Sequence, residues 1–179
     1  MEFIQFTLEK YNATLEKWKE EAESTDSFPH EVEQRLAWIE ESIANADAPG
    51  NHKTMAYGVF QPDADIAVCT CELVLSDRGQ LAGKWLKLLK VTLSPEIDWG
   101  IQQVDVQAIK AAIQAYKTAT LGSFAARLNH DAGTLKVYGR NEDQLKFLVT
   151  VIGELQSMED SPVEASKEGR WLVLKTNKG

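Results

Sequence analysis

The sequence predicts a mixed α/β fold in which helices pack on the faces of a central, mostly antiparallel sheet. Three strand-like segments joined by short connections, residues 54–60, 66–75 and 84–93, predict an antiparallel meander. Amphipathic segments precede the meander, and helices and strands alternate after it. The predicted order is β-α-α-β-β-β-α-β-α-β-β. Residues 1–179 are expected to form a single domain because no linker or repeat interrupts them.

The segment before the meander predicts one strand and two helices. Residues 3–8 alternate well enough for a strand, and Asn12 is a suitable N-cap for the first helix. Pro29 suits the first turn of the second helix, with Ser27 as its cap, and that helix is expected to end near Asn45. Both helices have an apolar face at spacings of three and four residues. These residues are Leu15, Trp18 and Ala22 in the first helix, and Val32, Leu36, Ile39 and Ile43 in the second.

The third meander strand, residues 84–93, contains a change of phase. Its polar positions are Lys90 and Thr92 near the end, but Lys87, on the opposite parity, nearer the start. Because side chains alternate between the two faces of a strand, a change of parity requires an extra residue. The sequence therefore predicts a β-bulge near the middle of this strand, and a bulge bends a strand away from its neighbour.

After the meander, residues 95–103 are predicted to form a loop, and Asp105 is expected to cap a long helix. Gly122 is the natural break in that helix. A short strand at 134–138 follows, and Asn141 begins a capping box for the next helix. The apolar face of the long helix is predicted to comprise Val106, Ile109, Ile113, Tyr116, Thr120, Phe124 and Leu128.

The C-terminal segment predicts a hairpin. A turn at residues 167–170 joins a weak strand at 162–165 to a firm strand at 171–175. Edge strands such as 171–175 are expected to be able to pair between subunits, which would give a homodimer.

Composition excludes several functions. The net charge of −8 argues against nucleic-acid binding, which needs a basic face, and favours cationic substrates such as amines.

No apolar run reaches the roughly 18 to 20 residues that span a bilayer. No signal peptide is evident, so a cytoplasmic protein without a membrane partner is expected. Cys69 and Cys71 are expected to be reduced core residues, and the histidines show no metal-ligand spacing.

Two short motifs carry a family resemblance. Val91-Thr-Leu-Ser-Pro95 ends the bulged strand with an apolar-x-apolar-x-Pro pattern, and a strand from Leu135 leads into Asn141 at the start of a helix. Together with the element order, these motifs resemble the GNAT superfamily, the GCN5-related N-acetyltransferases, over essentially the whole chain. The resemblance implies transfer of an acyl group from acetyl-CoA, or another acyl-CoA, to a small-molecule or peptide amine.

The resemblance also implies where acyl-CoA binds. Backbone groups near Leu89, Val91 and Leu93 would hold the pantetheine arm, and amides at the start of the third helix would hold the diphosphate. The family's glycine-rich loop is absent, because residues 95–103 contain one glycine and two carboxylates. A second candidate for the loop is residues 119–123. The cofactor-binding candidates outside the strand are Gly122, Ser123 and Asn141.

The implied chemistry needs a general base for the amine and an acid for the leaving thiolate. Glu72, on a meander strand, and Glu96, just past the bulged strand, are the candidate bases. Family members often place a tyrosine seven residues after the asparagine, but Leu148 stands there, so Tyr138 is the nearest hydroxyl. Trp99 is a candidate lining residue of a binding cleft.

The weak loop and the missing tyrosine keep a second hypothesis open. In this alternative the chain keeps the scaffold but acts without catalysis, as a regulatory or protein-interaction module. A third hypothesis is an unrelated α+β binding domain with a similar element order.

Overall fold

The structure, a computed structural model, describes residues 1–25, 28–46, 52–77, 83–140, 142, 145–146, 148–150, 153 and 163–176. Its strands are β1 (Glu2–Gln5), β2 (His52–Phe60), β3 (Ala67–Asp77), β4 (Lys84–Leu93), β5 (Thr134–Tyr138), β6 (Val163–Glu168) and β7 (Trp171–Thr176). Its helices are α1 (Leu8–Ser24), α2 (Pro29–Ala44), α3 (Pro95–Gln102) and α4 (Val106–Ala126), followed by a 3-10 turn at Arg127–His130. Described residues between 142 and 153 are also helical.

The strands form one mixed, mostly antiparallel sheet in the order β1-β2-β3-β4-β5-β7-β6. The predicted fold class is therefore confirmed. Strand β4 pairs with β5 in parallel, whereas β5 with β7 and β6 with β7 are antiparallel. The prediction that 171–175 is an edge strand was wrong, because β7 has neighbours on both sides and the edges are β1 and β6.

Strand β4 contains the predicted change of phase. Its buried residues are Leu86 and Leu88 in the first half, but Val91 and Leu93 in the second. The register with β5 ends at the same place, because Leu88 opposite Val137 is the last pair although β4 continues to Leu93. Pairing with β5 therefore stops where the parity changes, as an extra residue in one strand requires.

The contacts between backbone segments divide the chain into two compact units. The first comprises Met1–Pro49, Thr54–Glu72 and Val91–Ala119, and the second comprises Gly50–Lys53, Leu73–Lys90 and Thr120–Gly179. The core of the first unit is built on α1 and α2. Trp18 is fully buried there, and its indole Nε1 donates a hydrogen bond of 2.9 Å to the Ala67 carbonyl. The expected single-domain organisation stays a prediction.

Helix α1 begins earlier than predicted. Thr7 is the N-cap, and its hydroxyl accepts a hydrogen bond from the Lys10 amide, so Asn12 lies inside the helix and does not cap it. Helix α2 begins at Pro29 as predicted, with Phe28 in the cap position and no side-chain cap. The proposed cap Ser27 lies outside the described residues.

The segment predicted as a loop at 95–103 is helix α3, so that prediction was wrong. Ser94 caps α3, because its hydroxyl accepts from the Ile97 amide, and Pro95 occupies the first turn. Asp105 caps α4 as expected, through a hydrogen bond of 2.9 Å from the Gln107 amide.

Helix α4 differs from its prediction in two ways. It runs through Gly122 without a break. Its buried face is also turned by one residue, about 100°, because small residues face inward while Val106 and Ile113 are exposed. The buried residues of α4 are Ala112, Ala115, Ala119, Thr120, Ser123 and Ala126. Alanine faces let a helix lie close to its neighbours, and this outweighs the larger hydrophobic area of the other face.

Candidate functional site

The first unit carries a strand-to-helix junction at Ser94, immediately after β4. The Ser94 amide donates a hydrogen bond of 3.0 Å to the Val68 carbonyl of β3, which fixes the end of the strand. The Ser94 hydroxyl then caps α3 at the Ile97 amide, 3.4 Å away. The chain therefore turns from β4 into α3 without an intervening loop, and the first amides of α3 lie directly after the strand.

One of those amides is occupied by a carboxylate of the same chain. Glu21 of α1 accepts a hydrogen bond from the Glu96 amide, with 3.3 Å between Oε2 and N. Burial raises the pKa of Glu21, the charge of Glu96 raises this pKa further, and hydrogen bonds from the Glu96 amide and the Ser94 hydroxyl oppose these effects. The start of α3 therefore already holds one anionic group and does not fit a diphosphate as the family's glycine-rich loop does.

A pocket of about 260 Å³ lies in the first unit between the start of α2 and α3. Its lining is more polar than apolar and includes Phe28 and Val32 at the start of α2 and Pro95 and Trp99 of α3. Arg35 and Asp98 supply opposite charges, and within the described residues no ion pair involves Arg35. Such a pocket suits a flat ring with an attached charge, because aromatic walls bind rings and guanidinium binds anions.

The two candidate bases lie in the first unit in different environments. Glu96 is exposed in the first turn of α3, where its backbone and not its carboxylate contacts Glu21. Glu72 is half-buried on β3. Glu72 shares its face of β3 with Val68 and Val74, whereas the fully buried face is the opposite one, which carries Ala67, Cys69, Cys71 and Leu73.

The candidate acid lies in the second unit. Tyr138 is the last residue of β5 and is half-buried, with its ring 5.0 Å from that of Trp171 at an interplanar angle of 54°. Leu148, at the position where the family often has tyrosine, is buried and helical.

The residues predicted to bind the cofactor lie in different environments. Leu89 is half-buried, whereas Val91 and Leu93 are buried, and all three follow the last β5-paired residue of β4. Gly122 and Ser123 lie in the interior of α4, where their amides belong to the helix, so the loop predicted at 119–123 was wrong. Asn141 lies outside the described residues.

Sequence reasoning missed Glu21 and Arg35. Glu21 stands three residues after buried Trp18 and next to buried Ala22, so an acidic residue at core spacing was the available signal. Arg35 is not part of the apolar face of α2, and nothing in the neighbouring sequence distinguishes it from other surface arginines.

Two absences concern the described residues only. No group of three or more His, Cys, Asp or Glu side chains among them is arranged to hold a metal ion. None of the helices found there combines the length and hydrophobicity that crossing a bilayer requires.

Comparison with known proteins supports the fold. A solved structure described as a crystal structure of a probable acetyltransferase aligns with 94% of this chain and 97% of its own, with a TM-score of 0.51 and 15% identity. With the element order and the β4 geometry, this likeness defines the fold as GNAT-like.

A second solved structure, described as the AtaT-AtaR complex bound to DNA, aligns with 67% of this chain and 66% of its own, with a TM-score of 0.35 and 14% identity. No family profile and no curated protein matches the sequence.

Proposed function

We propose that this protein is an N-acyltransferase that moves an acyl group from acyl-CoA, in the simplest case acetyl-CoA, to an amine. The observation that carries the proposal is the end of the β4–β5 ladder at Leu88, five residues before β4 itself ends at Leu93. Backbone groups of Leu89, Val91 and Leu93 are the groups expected to bind the amide-containing pantetheine arm. The likeness of the fold to a probable acetyltransferase supports the same function.

The chemistry is a direct transfer. The amine nitrogen attacks the thioester carbonyl carbon, the new C–N bond forms, and the C–S bond breaks. The nitrogen gives up a proton to a base, and the leaving thiolate takes up a proton. We assign the base to Glu72, which is half-buried on β3, or to Glu96, in the first turn of α3, and we assign the acid to Tyr138, the last residue of β5. The net charge of −8 favours a cationic amine as acceptor.

We assign the nucleotide end of the cofactor to the pocket between α2 and α3. Pro95 of its wall follows β4 by two residues, so a molecule extended along the end of β4 leads to this pocket. Phe28 and Trp99 offer ring faces to an adenine, and Arg35 offers a cation to a phosphate. Arg35 would thus replace the missing glycine-rich loop. Asp98 is exposed, so water screens its repulsion.

Calorimetric titration of acetyl-CoA, combined with thiol release in the presence of diamines and polyamines, tests the proposal. We expect saturable binding and amine-dependent thiol release. Changing Glu72→Gln or Glu96→Gln, whichever is the base, should lower kcat by about 100-fold or more while binding is retained. A chain that neither binds millimolar acetyl-CoA nor releases thiol with any amine is not an acyltransferase.

Comparing the binding of acetyl-CoA with that of acetyl-pantetheine tests the pocket assignment separately, because acetyl-pantetheine lacks the nucleotide. Arg35→Met should weaken acetyl-CoA binding about tenfold, the effect of one charge-assisted hydrogen bond, and leave acetyl-pantetheine binding unchanged. Arg140→Met, a matched change at an exposed arginine, should affect neither. Equal loss for both ligands in Arg35→Met would contradict the assignment without touching the activity.

A second candidate function is an interaction module without catalysis. The observation that favours it is the Glu21 carboxylate on the Glu96 amide, because a diphosphate at α3 would meet a charge of its own sign. This candidate predicts a wild-type protein that binds no acetyl-CoA and a Glu21→Gln variant that binds none either. Binding gained in Glu21→Gln would instead show that Glu21 competes with the cofactor.

A further inference from the structure

The second unit contains a stripe of buried polar residues on one face of the end of α4 and the 3-10 turn. Thr120, Ser123, Arg127 and His130 follow one another at spacings of three, four and three, which places them on the same side of the helix. Thr120, Ser123 and Arg127 are each at most 4% exposed, and His130 is half-buried.

Each of these side chains has a buried polar atom without a hydrogen-bond partner among the described residues. The four atoms are Thr120 Oγ1, Ser123 Oγ, Arg127 Nε and His130 Nε2. A buried unsatisfied group costs about 1–3 kcal/mol. Four such groups within eleven residues are therefore a large cost unless something satisfies them together.

The charged side chains around the stripe are mostly basic. Arg127 donates through Nη2 to the Thr176 hydroxyl and lies 4.0 Å over the Phe124 ring, but within the described residues it makes no ion pair. Burial lowers the pKa of His130, and the positive charges of Lys53 and Lys84 lower it further. Asp131 opposes these two charges at His130, but it is exposed and pairs with Lys84 at 3.8 Å.

Water would satisfy the four polar atoms but not the charge. A buried guanidinium is costly unless an anion balances it. Hydroxyls and the arginine Nε–H all donate readily to an oxyanion, and such charge-assisted hydrogen bonds are the strong ones. We propose that the stripe of Thr120, Ser123, Arg127 and His130 is a binding site for a small oxyanion or for the phosphate or carboxylate group of a ligand.

This site is separate from the proposed acyl-CoA site. Its residues lie at the end of α4 and beside the last residue of β7, Thr176. Lys175, the residue before Thr176 in β7, pairs with Thr134, which is the first residue of β5. Leu89, the first of the proposed acyl-CoA groups, follows the other end of the β4–β5 ladder.

Thermal unfolding of the full chain tests the proposal, with inorganic phosphate, sulfate and acetate as probes at constant ionic strength and chloride as the reference. We expect a saturable rise of Tm in phosphate or sulfate at millimolar concentration that chloride does not give. Acetate distinguishes a carboxylate site from a phosphate site. Equal Tm in all four salts would overturn the proposal.

Two variants locate the effect even if changes at Arg127 disturb folding. Thr120→Val and Ser123→Ala remove an unsatisfied group, so without the anion they should unfold at a Tm equal to or above that of the wild type. Their affinity for the anion should nevertheless fall about tenfold. Arg127→Met should abolish the anion-dependent shift, whereas Arg140→Met should retain it. An unchanged shift in both hydroxyl variants would place the anion elsewhere and contradict the proposal.

Discussion

The carboxylate of Glu21 on α1 accepts a hydrogen bond from the backbone amide of Glu96 on α3. Two effects act on this carboxylate in opposite directions. The amide and the positive end of the α3 dipole favour its charged form, whereas burial and the nearby Glu96 charge disfavour it. Burial is the larger effect, because the pKa of Glu21 is raised.

Replacing Glu21 by Gln should therefore stabilise the protein at neutral pH. A raised pKa means that the folded state holds this proton to higher pH than the unfolded state, so wild-type stability falls as pH rises from the ordinary glutamate pKa through the folded one. Gln keeps an oxygen for the Glu96 amide and carries no charge. We expect a Tm gain of a few degrees at pH 7 that disappears toward pH 4, measured by calorimetry.

Glu16→Gln provides the control for that experiment, since it makes the same charge change at an exposed position of the same helix. It should alter Tm little at any pH. A Glu21→Gln variant that loses stability at pH 7 would show that the charge itself holds α1 to α3.

Gly100 is expected to be intolerant of any side chain. A Cβ atom there would lie 2.5 Å from the Ala108 Cβ, so α3 and the start of α4 approach each other too closely for alanine. Gly100→Ala should lower the free energy of unfolding by about 2 kcal/mol through overpacking. Chemical denaturation measures this change. Gly133→Ala is the matched substitution, because no atom of the described residues lies within 4 Å of its Cβ position, and a similar loss there would refute the steric explanation.

The Trp18 side chain both fills space in the core and donates a buried hydrogen bond. Trp18→Phe removes the Nε1 donor of the buried Ala67 carbonyl and leaves part of the indole volume empty. We expect a loss of about 2–4 kcal/mol in the free energy of unfolding. Trp99→Phe, at a residue that is 40% exposed, should cost much less. Comparable losses in urea denaturation would mean that the core does not depend on Trp18.

The two cysteines should be unreactive while the protein is folded. Cys69 and Cys71 are free and fully buried, with their sulfurs 4.0 Å apart. Burial raises the pKa of Cys71 well above its ordinary value, and the neighbouring thiol raises it further. Because the thiolate is the reactive form, a disulfide reagent should label both thiols only as fast as the chain unfolds. Rapid labelling of the native protein would contradict this burial.

The sequence predicted best where periodicity and position agree. Strand β4 begins and ends at the predicted residues 84 and 93, and its change of parity was visible because alternating side chains leave only two choices of face. Helix α2 was equally clear, since Val32, Leu36 and Ile39 are at helical spacing and all are buried.

Predictions failed where short-range signals compete. The Ser94-Pro95 start of α3 was visible in the sequence, but an eight-residue helix has too few turns to show an apolar period. Helix α4 offered two faces one residue apart, and hydrophobicity alone favours Ile113 over Ala112. Glu21 and Arg127 could not be assigned functions, because each gains its environment from residues distant in sequence.

Both edge strands of the sheet are protected against pairing with strands of other molecules. On one side β1 has only four residues, Glu2–Gln5. On the other, β6 exposes Glu164, Lys167 and Glu168, whose charges would lose hydration if another chain aligned there. Concentrated solutions of this protein should therefore resist fibril growth by strand addition, and self-association, if it occurs, should use the helices.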